Sequence, residues 1–408
     1  MRSLLKSLLL LVFMLSLQGY SPDATAAQSV DWNDTIQKAR GKTVDWYMWG
    51  GSPAVNGYVN GYLAGELKKR YDITLRQVPV KDIGEIVSKL LVEKQAGKND
   101  GGNADLLWIN GENFRTCKNQ ALLYGPFANQ LPNSRYVNWE NSAVKNDFGT
   151  PVEYLESPWG SAQLVMIYDS ARFQEVPRSI PTLLEWIETH PGRFTYPAPP
   201  DFTGSAFLRQ IFYQLSGSPL KWQEEYKEQE LDEALQKTYN RLAGLKKSLW
   251  RQGTTYPDSP VRLNTLFVDG EIDFSFSYNQ GEASRNILDG LFPDTVRTYV
   301  FDEGTLANTH FVAIPFNAGD KAAAMVVADF LLSPEAQLEK SKPEVWGDFP
   351  AISASRLEPA MQREFANRPQ GIATLGDAEL QAHQLPELPS SILTRLEKGW
   401  QQHVLKGR

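Results

Sequence analysis

Between Thr43 and Ile109 the chain alternates between extended and helical patterning, and that alternation limits the folds open to it. Thr43 to Trp49 is a β-rich run that ends at Gly50-Gly51. A helical stretch follows from Pro53 to about Arg70, and Ile73-Thr74-Leu75-Arg76 then alternates as a strand does. Ile83, Ile86, Val87, Leu90 and Leu91 recur at the spacing of one helix face. Asp82 and Glu85 can form a capping box at the start of that helix, and Gly97 suits its end. Asp105 to Ile109 is apolar almost throughout, as a strand covered on both faces must be. This order implies a parallel sheet with right-handed crossovers, whose ligand crevice lies beyond the carboxyl ends of the strands. Those ends are Trp49-Gly50-Gly51-Ser52 and Asn110-Gly111-Glu112-Asn113.

A second unit follows, with a strand at Gln163 to Tyr168, a Pro-rich loop at Tyr196 to Pro200 and a buried-looking strand at Ile272 to Tyr278. After Val300 the pattern returns to a strand at His310 to Ile314 and an apolar helix, Lys321 to Leu332, capped by Asp320. Ser333 and Pro334 open the next helix as N-cap and N1. A chain of about 380 residues beyond its leader exceeds what one core usually serves, so two domains are expected.

The leader is read from Arg2 and Lys6, the apolar run Leu8 to Leu17, and the small residues Ala24, Thr25, Ala26 and Ala27. Its apolar run is about half of the ~20 residues that span a bilayer, so a cleaved signal peptide with its cut near Ala26 or Ala27 is expected. No second long apolar run exists, and the formal net charge of −7 argues against a nucleic-acid surface. Cys117 is the sole cysteine, which allows no internal disulfide, and it is read as a packing residue.

Catalytic signatures do not emerge. There is no G-x-S-x-G or H-E-x-x-H, and His190, His310, His383 and His403 have no metal-ligand spacing. Gly41-Lys42-Thr43 imitates the end of a P-loop, but Ile36 stands where the first glycine belongs. No enzyme, cofactor or metal is therefore expected. Gly57, Gly61 and Gly65 form a small-residue stripe whose polar neighbours Asn56, Asn60 and Glu66 suggest close packing of a soluble helix.

Two features point to ligand chemistry. Thr203-Gly204-Ser205, before an apolar helix, is open to two readings: an anion site built on backbone N–H groups, or an ordinary N-cap. Trp46, Trp49, Trp108, Trp159 and Tyr278 fall at or beside strand ends. Trp46 belongs to the core on strand alternation, whereas Trp49, Trp159 and Tyr278 are open between core and cleft. Aromatic faces beside Glu112 and Asp201 could hold a cationic or heteroaromatic ligand.

Four stretches carry a family resemblance. Asp105-Leu106-Leu107-Trp108-Ile109-Asn110-Gly111-Glu112-Asn113-Phe114 is similar to a segment of periplasmic solute-binding proteins related to the thiamine, polyamine and ferric-ion binders of ABC importers. Ser157 to Gly160, Thr309 to Ala318 and Phe330 to Gln337 resemble their crossing strand, returning strand and following helix, over roughly positions 43 to 340. The resemblance implies an α/β, two-lobe periplasmic binding protein type II fold, with mixed sheets flanked by helices and a cleft between the lobes. The expected division is a signal peptide at 1–26, a first lobe at 27–157, a second lobe at 158–301, a return to the first lobe at 302–345, and a C-terminal helical segment at 346–408 packing on both. The crossings are expected near Glu156 to Gly160 and Phe301 to Gly304.

The implied function is capture of a small solute by hinge closure, with delivery to an inner-membrane ABC permease driven by a separate ATPase. The protein is expected to be periplasmic and monomeric. Thiamine or its phosphate is an example of the ligand. Ferric ion fits less well, because no clustered tyrosine pair or nearby histidine offers its ligands. The candidate lining is Trp49, Gly50, Gly51, Ser52, Asn110, Glu112, Asn113, Trp159, Thr203, Ser205, Tyr278, Asn279 and Asn308. An exported enzyme on the same scaffold and a protein-binding adaptor are the alternatives.

Overall fold

The computed structural model describes residues 31–407, so the leader and its cleavage site lie outside the described residues. From Trp32 onward the chain is one compact unit. Strands β1 (Thr43–Trp49), β2 (Thr74–Val80) and β3 (Leu106–Ile109) are parallel, with β1 between the other two. Val44, Trp46 and Met48 alternate into a core on one face of β1, while Tyr47 packs into a second core on the other. Both faces are therefore covered, as the crossover connections require.

A short hairpin follows, β4 (Asn146–Asp147) and β5 (Thr150–Pro151), then β6 (Glu156–Gln163) and β7 (Val165–Asp169). Only Leu164 separates β6 from β7, and there the chain passes from the first sheet to the second. The switch falls later than the stretch Glu156 to Gly160, because all of β6 still pairs with the first sheet. The second sheet has the order β8-β7-β9, with β8 (Phe274–Ser277) and β9 (Val296–Tyr299) both antiparallel to β7. The return strand β10 (Thr305–Ala313) rejoins the first sheet, antiparallel to both β3 and β6. Strand β11 (Gln384–Leu385) adds to the start of β10.

The two lobes have separate apolar cores. The second lobe's core takes in Leu388, Ile392, Leu396, Trp400 and Val404. Trp346, Ile352, Leu357 and Phe365 join the first. The C-terminal segment thus contributes to both.

Local chemistry accounts for most element ends. Ser52 caps the helical run that begins at Pro53 and ends at Tyr71, with a π-helical stretch at Tyr58–Leu63. Asp82 accepts a bond from the Gly84 N–H at 2.8 Å instead of forming the reciprocal box, and Gly97 adopts φ +71° after the helix. Asp320 stands at an N-cap without capping by its side chain, because its carboxylate pairs with Lys42 at 3.1 Å. Ser333 does cap, accepting from Ala336 N–H at 3.3 Å. Cys117 is fully buried, and burial pushes its thiol up to about 12, which makes it a packing residue. The close-packing expectation for Gly57, Gly61 and Gly65 is corrected: all three are exposed, and a methyl added at any of them meets nothing within 4 Å. Among the described residues no helix is long and apolar enough to cross a membrane.

Candidate functional site

At the end of β1 the Trp49 indole, half exposed, folds over Gly51, where a Cβ would sit 2.4 Å from the ring. Gly50 accepts from the Asn56 amide at 2.9 Å and Ser52 caps the following helix, so this loop is held by its own polar groups. At the end of β3, Asn110 is extended and Gly111 takes φ +61°. That conformation lets the Gly111 N–H donate to Asp147 Oδ2 at 2.7 Å. Glu112 is exposed on the first turn, and Asn113 is half-buried behind it.

Across from this loop stands the helix Phe202–Ser216. Asp201 caps it, accepting from Gly204 N–H at 2.8 Å, and a Cβ on Gly204 would collide with Pro197 O at 1.9 Å. Asp201, rather than Thr203 or Ser205, is thus the capping side chain of this helix. Ser205, fully buried, donates to Glu397 at 2.6 Å and accepts from Arg209 at 2.9 Å. Arg209 is itself fully buried and pairs with Glu387 at 2.8 Å, while the Tyr278 hydroxyl donates to the same carboxylate. Burial alone would lower the Arg209 pKa, but Glu387, Tyr278 and Glu397 together hold the guanidinium above its ordinary value.

This knot is where the lobes meet. Phe148 of the first lobe lies 6.2 Å from Phe202 of the second, and Phe202 lies 5.0 Å from Tyr278. The Arg209 guanidinium sits 5.1 Å from the Phe202 ring and 5.7 Å from the Phe148 ring. The Ser390 N–H donates to Phe148 O at 3.1 Å, so the C-terminal segment touches both walls. Burial pushes Asp147 well above the usual carboxylate range, with Glu387 and Glu112 adding to the effect. Glu397 is raised chiefly by burial, with Glu112 contributing. Two carboxyl groups, Glu387 and Glu397, thus act on the guanidinium, while Asp147 and Glu112 lie close enough to raise their carboxyl neighbours. Behind them Glu156 is fully buried with neither oxygen hydrogen-bonded, and burial followed by Asp147 holds it well above its ordinary range.

A second aromatic assembly lies in the first lobe. Trp159 is fully buried at its centre, 5.0 Å from Trp46, 4.9 Å from Trp108 and 5.2 Å from Trp346. Lys340 Nζ donates to Trp159 O at 2.5 Å and to Asp348 Oδ2 at 2.6 Å, and His310 approaches the other Asp348 oxygen at 3.3 Å. Burial lowers the Lys340 pKa against the pull of Asp348. Trp159 therefore offers no surface to a ligand in this arrangement, and only Trp108 and His310 are partly exposed at the nest's edge. Asn308, 7% exposed on β10, has an Oδ1 with no partner. Gly281 of the second lobe packs on Gly347 of the first, since a Cβ would lie 2.4 Å from Gly347 O. A cavity of about 10 Å³ lies beside that contact, between Gly281, Gly347, Phe349 and Arg368, room for roughly one water.

The structure brings Tyr278, Thr203, Ser205 and the Glu112 turn toward one junction, and places Trp159 in a core. Arg209, Phe148, Phe202, Glu387 and Glu397 were missed by the sequence reading. Arg209 had a signal: it is the only charged residue in the helix Phe202–Ser216. A lone charge inside such a helix calls for a buried partner. Glu387 had none, lying in a tail without patterning. Among the described residues no group of three or more His, Cys, Asp or Glu could hold a metal.

A family model for bacterial extracellular solute-binding proteins matches residues 62–369. Protein YnjB of Escherichia coli (strain K12) is 40% identical over 339 residues, 83% of this chain and 87% of its own length. The spermidine/putrescine ABC transporter substrate-binding protein PotD from Streptococcus pneumoniae superposes with a TM-score of 0.58 at 15% identity, covering 89% of this chain and 99% of its own. A periplasmic thiamin binding protein gives 0.59 at 17% identity, covering 89% and 96%. The apo ferric ion-binding protein A of Pasteurella haemolytica gives 0.58 at 12% identity, covering 88% and 97%. These structural likenesses show the type II periplasmic binding protein fold. With the family model spanning most of the chain and a relative matched over most of both lengths, the chain belongs to the bacterial extracellular solute-binding protein family.

Proposed function

We propose that this chain is the periplasmic substrate-binding subunit of an ABC import system, closing on a small solute and presenting it, as a monomer, to an inner-membrane permease served by a separate ATPase. The observation that carries the ligand side of this reading is the lobe junction, where Phe148, Phe202 and Tyr278 stand beside the Arg209 guanidinium and the carboxyl groups Glu387 and Glu397, with Asp147 and Glu112 close by. An acidic, ring-lined junction suits a cationic or heteroaromatic solute, for which thiamine or its phosphate is an example. Spermidine/putrescine and thiamin binders among the structures of like fold lend this support.

The proposed contacts are Trp49, Gly50, Gly51, Ser52, Asn110, Glu112, Asn113, Tyr278, Asn279 and Asn308, with Phe202 added. Thr203, no more buried than Tyr278 and Asn308, belongs with these contacts, whereas the fully buried Trp159 and Ser205 act behind them. The solute must favour the closed arrangement over the open one, or no closure follows. The test is a calorimetric titration of thiamine, thiamine phosphate and spermidine into the parent, Glu112→Gln and Phe202→Ala. At least one solute is expected to bind the parent, and both variants to bind it about tenfold or more weakly with unchanged melting. Equal affinity in all three proteins would remove this junction from the binding site.

A further inference from the structure

We infer that Gln280 and Gln210 are positioning residues that set the resting angle between the lobes; the inference rests on the reading that the protein works by lobe closure. Where the crossing strands pass out of the first sheet, each has edge groups bonded by a glutamine amide from the second lobe, on β6 beside the Ser161 N–H, which donates to Phe349 O at 3.1 Å. Gln280, between β8 and the helix Glu282–Leu288, accepts from Gln163 N–H at 3.1 Å and donates to Ser161 O at 3.1 Å. Gln210, in the helix Phe202–Ser216, donates to Gly304 O at 2.9 Å and accepts from Leu306 N–H at 3.2 Å. Each side chain thus bonds residues i and i+2 of one strand edge, as a peptide unit of a neighbouring strand would. Gln280 is 3% exposed and Gln210 is 1% exposed.

The two clamps flank the pivot. Leu164, the single residue between β6 and β7, donates its N–H to Leu306 O at 2.8 Å, so the crossing strands are joined to each other at that point. Gln163 reinforces the join, donating to Thr305 Oγ1 and to His383 O, both at 3.1 Å. Every bond from Gln280 and Gln210 runs from the second lobe to the first-sheet end of a crossing strand. Such bonds weaken steeply with distance and angle, so they hold only over a narrow range of lobe orientation. The same residues carry the proposed lining: Gln280 follows Tyr278 and Asn279, and Gln210 follows Ser205 and Arg209 on one helix. Fixing the clamps therefore fixes where that lining faces.

The experiment is pulsed electron–electron distance measurement on the ligand-free mature protein. Spin labels go on Val92→Cys in the first lobe and Val261→Cys in the second, which are 64% and 68% exposed. Cys117 stays unlabelled because it is buried with its thiol pushed up to about 12. The labelled parent is expected to give one narrow distance distribution. Adding Gln210→Leu and Gln280→Leu together is expected to raise the population at a second distance at least tenfold, and Gln280→Glu, which can accept but not donate, to give a smaller rise. A double variant with the parental distribution would overturn the inference, whatever its melting temperature, because a purely structural role lowers melting without moving the lobes. If the double variant does not fold, the two single leucine variants decide, and parental distributions in both would overturn it. No ligand enters the measurement, so its failure would leave solute binding standing, and a failed ligand titration would leave the clamps standing.

Discussion

Two regions of this protein are built from the same parts and do different things. Around Lys340 and around Arg209 a fully buried cation pairs with a buried carboxylate inside a ring of aromatic side chains. Lys340 spends its donors inside the first lobe, on Asp348 and the carbonyls of Trp159 and Phe349. Arg209 instead joins a second-lobe helix to Glu387 of the C-terminal segment, under rings supplied by both lobes. A buried ion pair is therefore no marker of a binding site by itself. On the proposed reading, its position relative to the lobe junction decides whether a solute can sense it.

The largest test of that comparison is Lys340→Met. It leaves the buried Asp348 with only His310, at 3.3 Å, beside it, and losing one partner of a buried pair costs about 3–5 kcal/mol, read as a fall in melting temperature with solute affinity little changed in the surviving folded protein. A large affinity loss at constant fold would break the distinction. Arg209→Met should cost less, about 2–3 kcal/mol, because Tyr278 and the Leu388 N–H still donate to Glu387. It should also weaken solute binding, since the guanidinium supports both Phe148 and Phe202.

Glu156→Gln should stabilise the fold at neutral pH relative to the parent, because the amide has no proton to lose in that buried place. The sign follows from linkage. A carboxyl raised by burial binds more protons folded than unfolded, so stability is lost as pH rises from its unfolded value near 4 toward its folded one. Melting curves across that window should slope less in the variant, and an unchanged slope would mean that Glu156 does not titrate there. The smallest effect is Asp201→Ala, which removes the cap of the junction helix for about 1 kcal/mol in a denaturation series. A loss of several kcal/mol would show the turn to be part of the junction rather than its support.

The alternation from Thr43 to Ile109 made the first sheet legible, because parallel strands covered on both faces leave apolar runs that composition reveals. Trp46 followed from strand period for the same reason, whereas Trp159 did not. Its neighbours Trp108 and Trp346 arrive from β3 and from beyond the return helix, contacts set by topology rather than spacing. The glycine stripe misled because small residues every fourth position look alike whether they face a neighbour or water. At Thr203-Gly204-Ser205 the capping side chain is Asp201, just upstream of the triplet, which bonds the Gly204 N–H. The partnership of Arg209 and Glu387 spans 178 residues and lies beyond any local pattern.

The central claim is solute binding between the lobes. Its most direct measurement is a thermal-shift screen of the mature protein, unfolded and refolded to strip carried-over ligand, against vitamins, polyamines, phosphate esters, amino acids, sugars and metals. A true ligand at about a hundred times its dissociation constant should add roughly 2.7 kcal/mol of stability, and the account predicts that a cationic or heteroaromatic solute does so. A well-folded protein whose melting is moved only by anionic solutes would contradict the junction chemistry, and one moved by no solute class would contradict solute capture.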